Sequence, residues 1–252
     1  MIHSIFGQYD ATIYEYYTTK NTGMDGVLDL SKYVTGTASY NNRTLLQFDL
    51  SSISQSIVAG QIGATRKFYL NLFAVQAFEV PTNQQFIIAP ISQSWDAGIG
   101  KYANSPETTE GVTWEQRSTT TKWSTGSYAT NTTASWTMNK GGGTWYTNNT
   151  QSYTLTRDSL DIRVDVTNIV ESWLNNTIPN NGFIIYKQNE ASTDNNTELK
   201  YFSSDTNTIY LPKLEVAWDN AVYTTGSLSQ PTANKEILVY VQNLKKAYKE
   251  TS

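Results

Sequence analysis

Asn42-Arg43-Thr44-Leu45-Leu46-Gln47-Phe48-Asp49-Leu50-Ser51-Ser52-Ile53 is the stretch whose reading decides the fold. Thr44, Leu46, Phe48 and Leu50 share one parity, while Arg43, Gln47 and Asp49 share the other. This is the period-two signature of a strand with one buried face. Leu45 breaks the pattern by placing an apolar side chain on the polar parity, which implies that the second face is partly covered too. The strand therefore belongs in the middle of a sandwich rather than at an edge. Ser51-Ser52 then favours a turn, because side-chain hydroxyls compete for backbone hydrogen bonds.

Towards the N-terminus, Asp10 to Glu15 alternates and carries Ile and Tyr, so it reads as the first strand. A turn over residues 21–26 leads into Val27-Leu28-Asp29-Leu30, a short second strand. On the other side, Ile53 to Gly63 reads as a polar, Gly-punctuated crossover between sheets. Arg66 to Val75, with Phe68, Leu70, Leu72 and Ala74 on one face, is the longest expected strand. Gln85 to Ile91 follows, with Pro90 limiting it to an end or an edge. Leu160 to Val166 alternates cleanly, and Thr167 is placed to cap one short helix near 167–175. There Ile169, Val170, Trp173 and Leu174 recur at three- and four-residue spacing. Phe183-Ile184-Ile185-Tyr186 is nearly all apolar, as a central strand would be. Lys200 to Ser204 and Pro212 to Trp218 read as a last pair of strands. After Asp219 a polar linker precedes the alternating run Glu236 to Val241. Residues 1–219 are thus expected to form one sandwich, and 220–252 a linker followed by a docking arm or the first strand of a further module.

Residues 101–152 have a different character, dominated by Thr, Ser, Asn and Gly, with Trp123, Trp136 and Trp145 spaced along them and Gly141-Gly142-Gly143 between. A connection of that length is usually functional or disordered. The tryptophans argue for order, because each buries on the order of 200 Å² when packed.

Composition narrows the function classes. The chain has 252 residues, 38% of them hydrophobic, which suffices for one all-β core. A net charge of −4 gives no basic face for nucleic acid. The Lys245-Lys246-Ala247-Tyr248-Lys249 cluster reads as a solvated end. With no cysteine there is no disulfide, thiolate nucleophile or thiolate metal site. No apolar run reaches the roughly 20 residues of a membrane-spanning helix. The first residues lack the basic leader and apolar core of an export signal, so synthesis in a cytoplasm is expected.

In order along the chain, the stretch from Asn42 to Ser51, Ser94-Trp95-Asp96-Ala97-Gly98, Gly111-Val112-Thr113-Trp114, Asp165 to Trp173, Asn181-Gly182-Phe183-Ile184-Ile185 and Pro212-Lys213-Leu214-Glu215-Val216 together resemble the DNRLRE-type family of carbohydrate-binding modules. The resemblance covers roughly residues 40 to 219. It implies an all-β, jelly-roll β-sandwich without catalysis, often attached to secreted enzymes or surface proteins. Gly141 to Tyr146, Phe202 to Tyr210 and Thr225 to Ser229 resemble a version found in virion proteins of tailed bacteriophages. That version implies a non-catalytic structural protein of the tail, collar or capsid decoration, made in the host cytoplasm and assembled with copies of itself and other virion proteins. A grip on host surface glycan is compatible with it. The rival expectation is a glycan-binding module of a secreted or surface protein.

The chemistry-bearing residues fit a non-enzyme with no cofactor. His3 is the only histidine and is expected near a disordered terminus, a poor place for a triad or a metal. Asp161, Arg163 and Asp165 share a parity and read as an outer-face charge ladder rather than paired carboxylates in an apolar cleft. Asp25, Asp29 or Asp96 with backbone carbonyls is the one arrangement that suggests a calcium site, without any EF-hand spacing. Sugars stack on exposed aromatic faces, and Trp123, Trp136, Trp145 and Tyr146 are the candidate glycan or subunit contacts. The competing reading of the three tryptophans is that they plug the ends of the sandwich or meet a neighbouring subunit. Trp95, Trp114, Trp173 and Trp218 are expected in the core.

Overall fold

The computed structural model describes residues 1–81, 83–123, 141–156, 159–190 and 196–219, together with the backbone of 132–134. In chain order its strands are β1 (Ile2–Phe6), β2 (Tyr9–Tyr14), β3 (Val27–Asp29), β4 (Lys32–Thr35), β5 (Ala38–Gln47), β6 (Arg66–Leu72), β7 (Ala74–Phe78), β8 (Gln85–Pro90), β9 (Gln116–Ser118), β10 (Thr121–Lys122), β11 (Thr132–Ala134), β12 (Thr144–Tyr146), β13 (Gln151–Thr154), β14 (Ile162–Asp165), β15 (Phe183–Lys187), β16 (Glu198–Phe202) and β17 (Lys213–Trp218). Two short helices, α1 (Ser51–Val58) and α2 (Thr167–Leu174), complete it. The protein is an all-β sandwich. The expected arm at 220–252 lies outside the described residues.

A six-stranded antiparallel sheet runs β13-β8-β15-β5-β2, with β4 also paired to β5. A four-stranded sheet, β1-β17-β6-β14, and a three-stranded one, β3-β16-β7, provide the facing surfaces. The first core lies among them, joining Phe68, Leu70, Val164 and Val216 to Leu28, Leu199 and Tyr201 and to Leu46, Phe86, Phe183 and Ile185. The other face of the six-stranded sheet is covered as well. Ile13, Leu45, Ile91 and Ile184 form a second core there with Val112, Trp114, Trp123 and Trp145. Leu45 on the "wrong" parity and the all-apolar run 183–186 share this cause, since β5 and β15 lie side by side and are buried on both faces.

Some expectations are corrected. The N-terminus is not disordered, because Ile2–Phe6 pairs with β17 and places His3 opposite Val216. The crossover after Asp49 contains α1, which buries Ile53 and exposes most of its Ser and Gln side chains. Arg66 to Val75 is split at Phe73, so that β6 and β7 serve different sheets. The last two strands do not pair with each other. β16 joins β3 and β7, whereas β17 joins β1 and β6. Thr167 is the first helical residue of α2 rather than its cap, and its N–H donates to the Asp165 carboxylate at 3.0 Å. The charge ladder at 161–165 is present on the outer face: Lys67 pairs with Asp165 at 3.0 Å and Arg163 with Glu215 at 2.7 Å.

Two buried polar side chains stitch the second core to the sheet. Arg43, only 4% exposed, donates through Nε and Nη2 to the Glu190 carboxylate at 2.8 and 2.6 Å and through Nη1 to the Gly142 carbonyl at 2.5 Å. Its guanidinium lies over the Trp114 ring at 4.6 Å and the Trp145 ring at 5.3 Å. Asn21 is fully buried and uses every hydrogen-bonding position of its amide. Nδ2 donates to the carbonyls of Ala97 and Val112, both at 2.7 Å, and Oδ1 accepts from Gly100 N at 2.7 Å and Gly23 N at 3.3 Å. The two motif loops around Asp96 and Gly111 are thereby clamped together. Gly111 has φ +101°, and a Cβ there would stand 2.4 Å from the Gly98 Cα, so no other residue fits.

Asn21→Ala leaves up to four backbone groups without this partner, at roughly 1–3 kcal/mol for each that stays dry. We expect the variant to lose about 3 kcal/mol or more in urea unfolding, and a loss below about 1 kcal/mol would contradict the clamp.

Candidate functional site

The tryptophans singled out in the sequence are committed inside the chain. Trp123 is buried in the second core and its Nε1 donates to the Thr113 carbonyl at 3.0 Å. Trp145 is buried beneath Arg43 and packs on Tyr186 with ring centroids 4.5 Å apart. Neither ring offers a face to a sugar in solvent, because both are packed in the second core. Tyr146 is half-buried on β12, and Trp136 lies outside the described residues. Trp114 and Trp173 are in the core as expected, with Trp95 and Trp218 partly buried against it.

Among the described residues, most of the exposed aromatics are tyrosines instead. Six of the chain's 17 fall within its first 40 residues. Tyr16 meets Tyr17 and Tyr40 with centroids 4.9 Å away in each case, and Tyr33 at 6.1 Å. Tyr17 continues the series to Tyr102 at 5.8 Å, and Tyr102 to Tyr14 at 5.1 Å. Tyr16 and Tyr33 are more than half exposed and Tyr102 is 42% exposed. The aromatic band thus runs over the surface and ends in a cleft.

That cleft has a volume of about 380 Å³ and is lined by Tyr14, Asp25, Val27, Asp29, Val75, Gln76, Tyr102 and Lys200. Most of its floor is the outward face of the three-stranded sheet. Asp29, Lys200 and Gln76 stand in cross-strand register on β3, β16 and β7, while Leu28, Leu199 and Tyr201 point the other way into the first core. A bulge between Ala74 and Gln76 leaves Val75 unpaired and presents it to the same cleft. Tyr14 comes from the end of β2, and Tyr102 from the loop after Gly100 that Asn21 holds in place. Asp25 is fixed twice over. Both carboxylate oxygens accept from Tyr102 N, at 3.0 and 3.2 Å, and its carbonyl accepts from Ser203 Oγ.

Burial sets the electrostatics here. Desolvation raises the Asp25 carboxyl above its usual range, against the pull of the Tyr102 N–H and of Lys101 and Lys20. Tyr102 is pushed up to about 12 by burial, with Tyr17 and the charges of Asp29 and Asp25 adding to it. Beside the cleft, Asp10 is 2% exposed and accepts from Ser204 N at 2.6 Å, on the same 203–205 turn that holds Asp25. Burial raises it to about 6. Of the three aspartates considered as calcium ligands, Asp25 and Asp29 share the cleft, while the Asp96 carboxylate accepts from Gly98 N at 3.1 Å and is not part of its wall. Among the described residues no group of three or more His, Asp or Glu side chains is placed to hold a metal ion. Also among them, no helix is long and apolar enough to cross a membrane.

No family model and no curated protein matches this chain. Its chemistry must be read from the cleft itself. An open depression floored by acid, amide and lysine side chains and walled by tyrosines is equipped to bind a polar ligand by hydrogen bonds and ring contact. Pattern reading missed it because its residues come from four strands and two loops. The density of tyrosines before residue 40 was the available signal.

Asp10 gives a pH signature. Its folded pKa exceeds the ordinary 3.8, so its contribution to stability is complete below pH about 4 and is lost as pH rises through about 6. Asp10→Asn keeps an acceptor for Ser204 N–H and removes the titration. Its free energy of unfolding is expected to match the wild type near pH 4 and to exceed it at pH 7.5 by on the order of 2–3 kcal/mol. Parallel pH profiles would contradict this.

Proposed function

We propose that this chain is a non-catalytic structural protein of a bacteriophage virion, in the tail, collar or capsid decoration, built on a sandwich of the DNRLRE-type carbohydrate-binding-module kind. The observation that carries this reading is an aromatic patch left open on the exterior. Tyr210 stacks on Phe202 at 5.7 Å and meets Phe73 at 5.6 Å, and the neighbouring Ile209 is 84% exposed. Contiguous exposed apolar surface of this kind marks contact with another protein. Three of these four residues lie in the Phe202 to Tyr210 segment, which resembles virion proteins. Copies of the same chain and other virion proteins are the partners this reading requires, with no role for nucleic acid. The virion is then its location, after synthesis in the host cytoplasm.

Density-gradient-purified particles are expected to contain the chain at a fixed copy number. Ile209→Lys combined with Tyr210→Asp should lower its incorporation at least tenfold while leaving the circular dichroism spectrum unchanged. Absence of the wild-type chain from particles would overturn the reading.

A second reading, glycan binding, is favoured by the tyrosine cleft and is compatible with the first. On a polysaccharide array, binding should fall at least tenfold in Tyr102→Ala, which removes a cleft wall at an exposed site. An array on which no glycan is bound would exclude it.

A further inference from the structure

The charged groups of the cleft are unequally committed. Lys200, the one lysine among the described residues that line it, is ion-paired with Glu198, two residues back on the same strand face. Among the described residues the Asp25 carboxylate accepts only from the Tyr102 backbone N–H, and Asp29 accepts with one oxygen from Ser31 N at 2.8 Å. Among the described residues neither carboxylate has an ion-pair partner within 4.0 Å. Two half-buried anions therefore face the space a ligand would fill; Lys200 is already neutralised by Glu198, and Lys20 and Lys101 act on Asp25 without forming an ion pair within 4.0 Å.

The tyrosines at the rim show what kind of group their faces accept. The Lys20 ammonium stands 4.4 Å from the centroids of both Tyr17 and Tyr102 and donates to the Tyr102 carbonyl at 3.3 Å. An ammonium is held by ring faces through the quadrupole of the aromatic system. Tyr102 and Tyr14 carry the same kind of ring into the cleft, beside Asp25 and Asp29.

We infer that the cleft binds a sugar residue carrying a free primary ammonium, a deacetylated amino sugar, with the ammonium against Asp25 and Asp29 and the sugar ring against Tyr14 and Tyr102. This rests on the glycan reading of the same cleft. The desolvation that raises Asp25 is a cost that a cationic ligand offsets and a neutral one does not. An N-acetylated sugar of the same backbone loses the charge and adds an acetyl group where the carboxylates stand.

The test is calorimetric titration of the full chain with glucosamine trimers and, separately, with N-acetylglucosamine trimers at moderate salt. The deacetylated trimer should bind at least tenfold more tightly. Asp29→Asn, which keeps an acceptor for Ser31 N–H, should abolish that preference, and Tyr102→Ala should weaken both ligands. Asp49→Asn, at an exposed carboxylate away from the cleft, should change neither. Equal affinity for the two trimers, or an equal loss in Asp29→Asn and Asp49→Asn, would overturn the amino-sugar inference and leave the glycan reading in place. No binding of either trimer, together with a blank polysaccharide array, would overturn both.

Discussion

The buried guanidinium of Arg43 is the constraint on which the second core depends. A charge removed from water must be paired and hydrogen-bonded or it unfolds its surroundings. Arg43 meets that condition with three separate parts of the chain: Glu190 after β15, the Gly142 carbonyl, and the rings of Trp114 and Trp145. The planar fork explains why arginine occupies the position, since a lysine ammonium reaches the carboxylate but not the carbonyl and the stacked rings together. It also explains the glycine run. A Cβ on Gly142 would stand 2.5 Å from Arg43 Nη1, and Gly141, Gly142 and Gly143 all have positive φ. What looks like a low-complexity loop is held by geometry at its C-terminal end.

Much of the sandwich was legible in the sequence because alternation reports burial directly. Leu45 and the run 183–186 announced a sheet covered on both sides. The helix α1 was missed, although its start carries the same signal as that of α2: Asp49 accepts from Ser51 N as Asp165 does from Thr167 N. The difference is that α1 carries only a thin stripe, Leu50, Ile53 and Ile57 among Ser and Gln, with Ile53 alone buried inside the helix, whereas α2 buries Ile169, Val170 and Trp173. The supposed pairing of the last two strands failed for a different reason. Sequence neighbours usually pair, but β16 and β17 are the inward-facing partners of different sheets, which short-range pattern does not encode.

The site was less legible than the fold. Tryptophans in a polar loop suggest display, yet Trp123 and Trp145 are consumed by the second core, Trp123 through its bond to the Thr113 carbonyl and Trp145 beneath Arg43, about a hundred residues away along the chain. The tyrosine cleft is the reverse case. Asp25 and Asp29 were noticed as oxygen ligands, but nothing in the local sequence shows that Asp29 and Gln76 flank Lys200 across two strand pairings, or that Glu198 neutralises Lys200. The Asn21 clamp connects fold and site, since the loop it fixes brings Tyr102 over Asp25.

The scaffold therefore has two parts: buried polar clamps hold the loops against the six-stranded sheet, and the outward face of the three-stranded sheet floors the tyrosine cleft. Hydrogen exchange on Arg43→Met is the most direct measurement of the claim that one guanidinium holds the second core. Amides of 112–114 and 141–146 should exchange at least a hundredfold faster than in the wild type, while those of β6, β14 and β17 in the first core keep their protection. Unchanged exchange at 141–146, or equal acceleration across both cores, would contradict it.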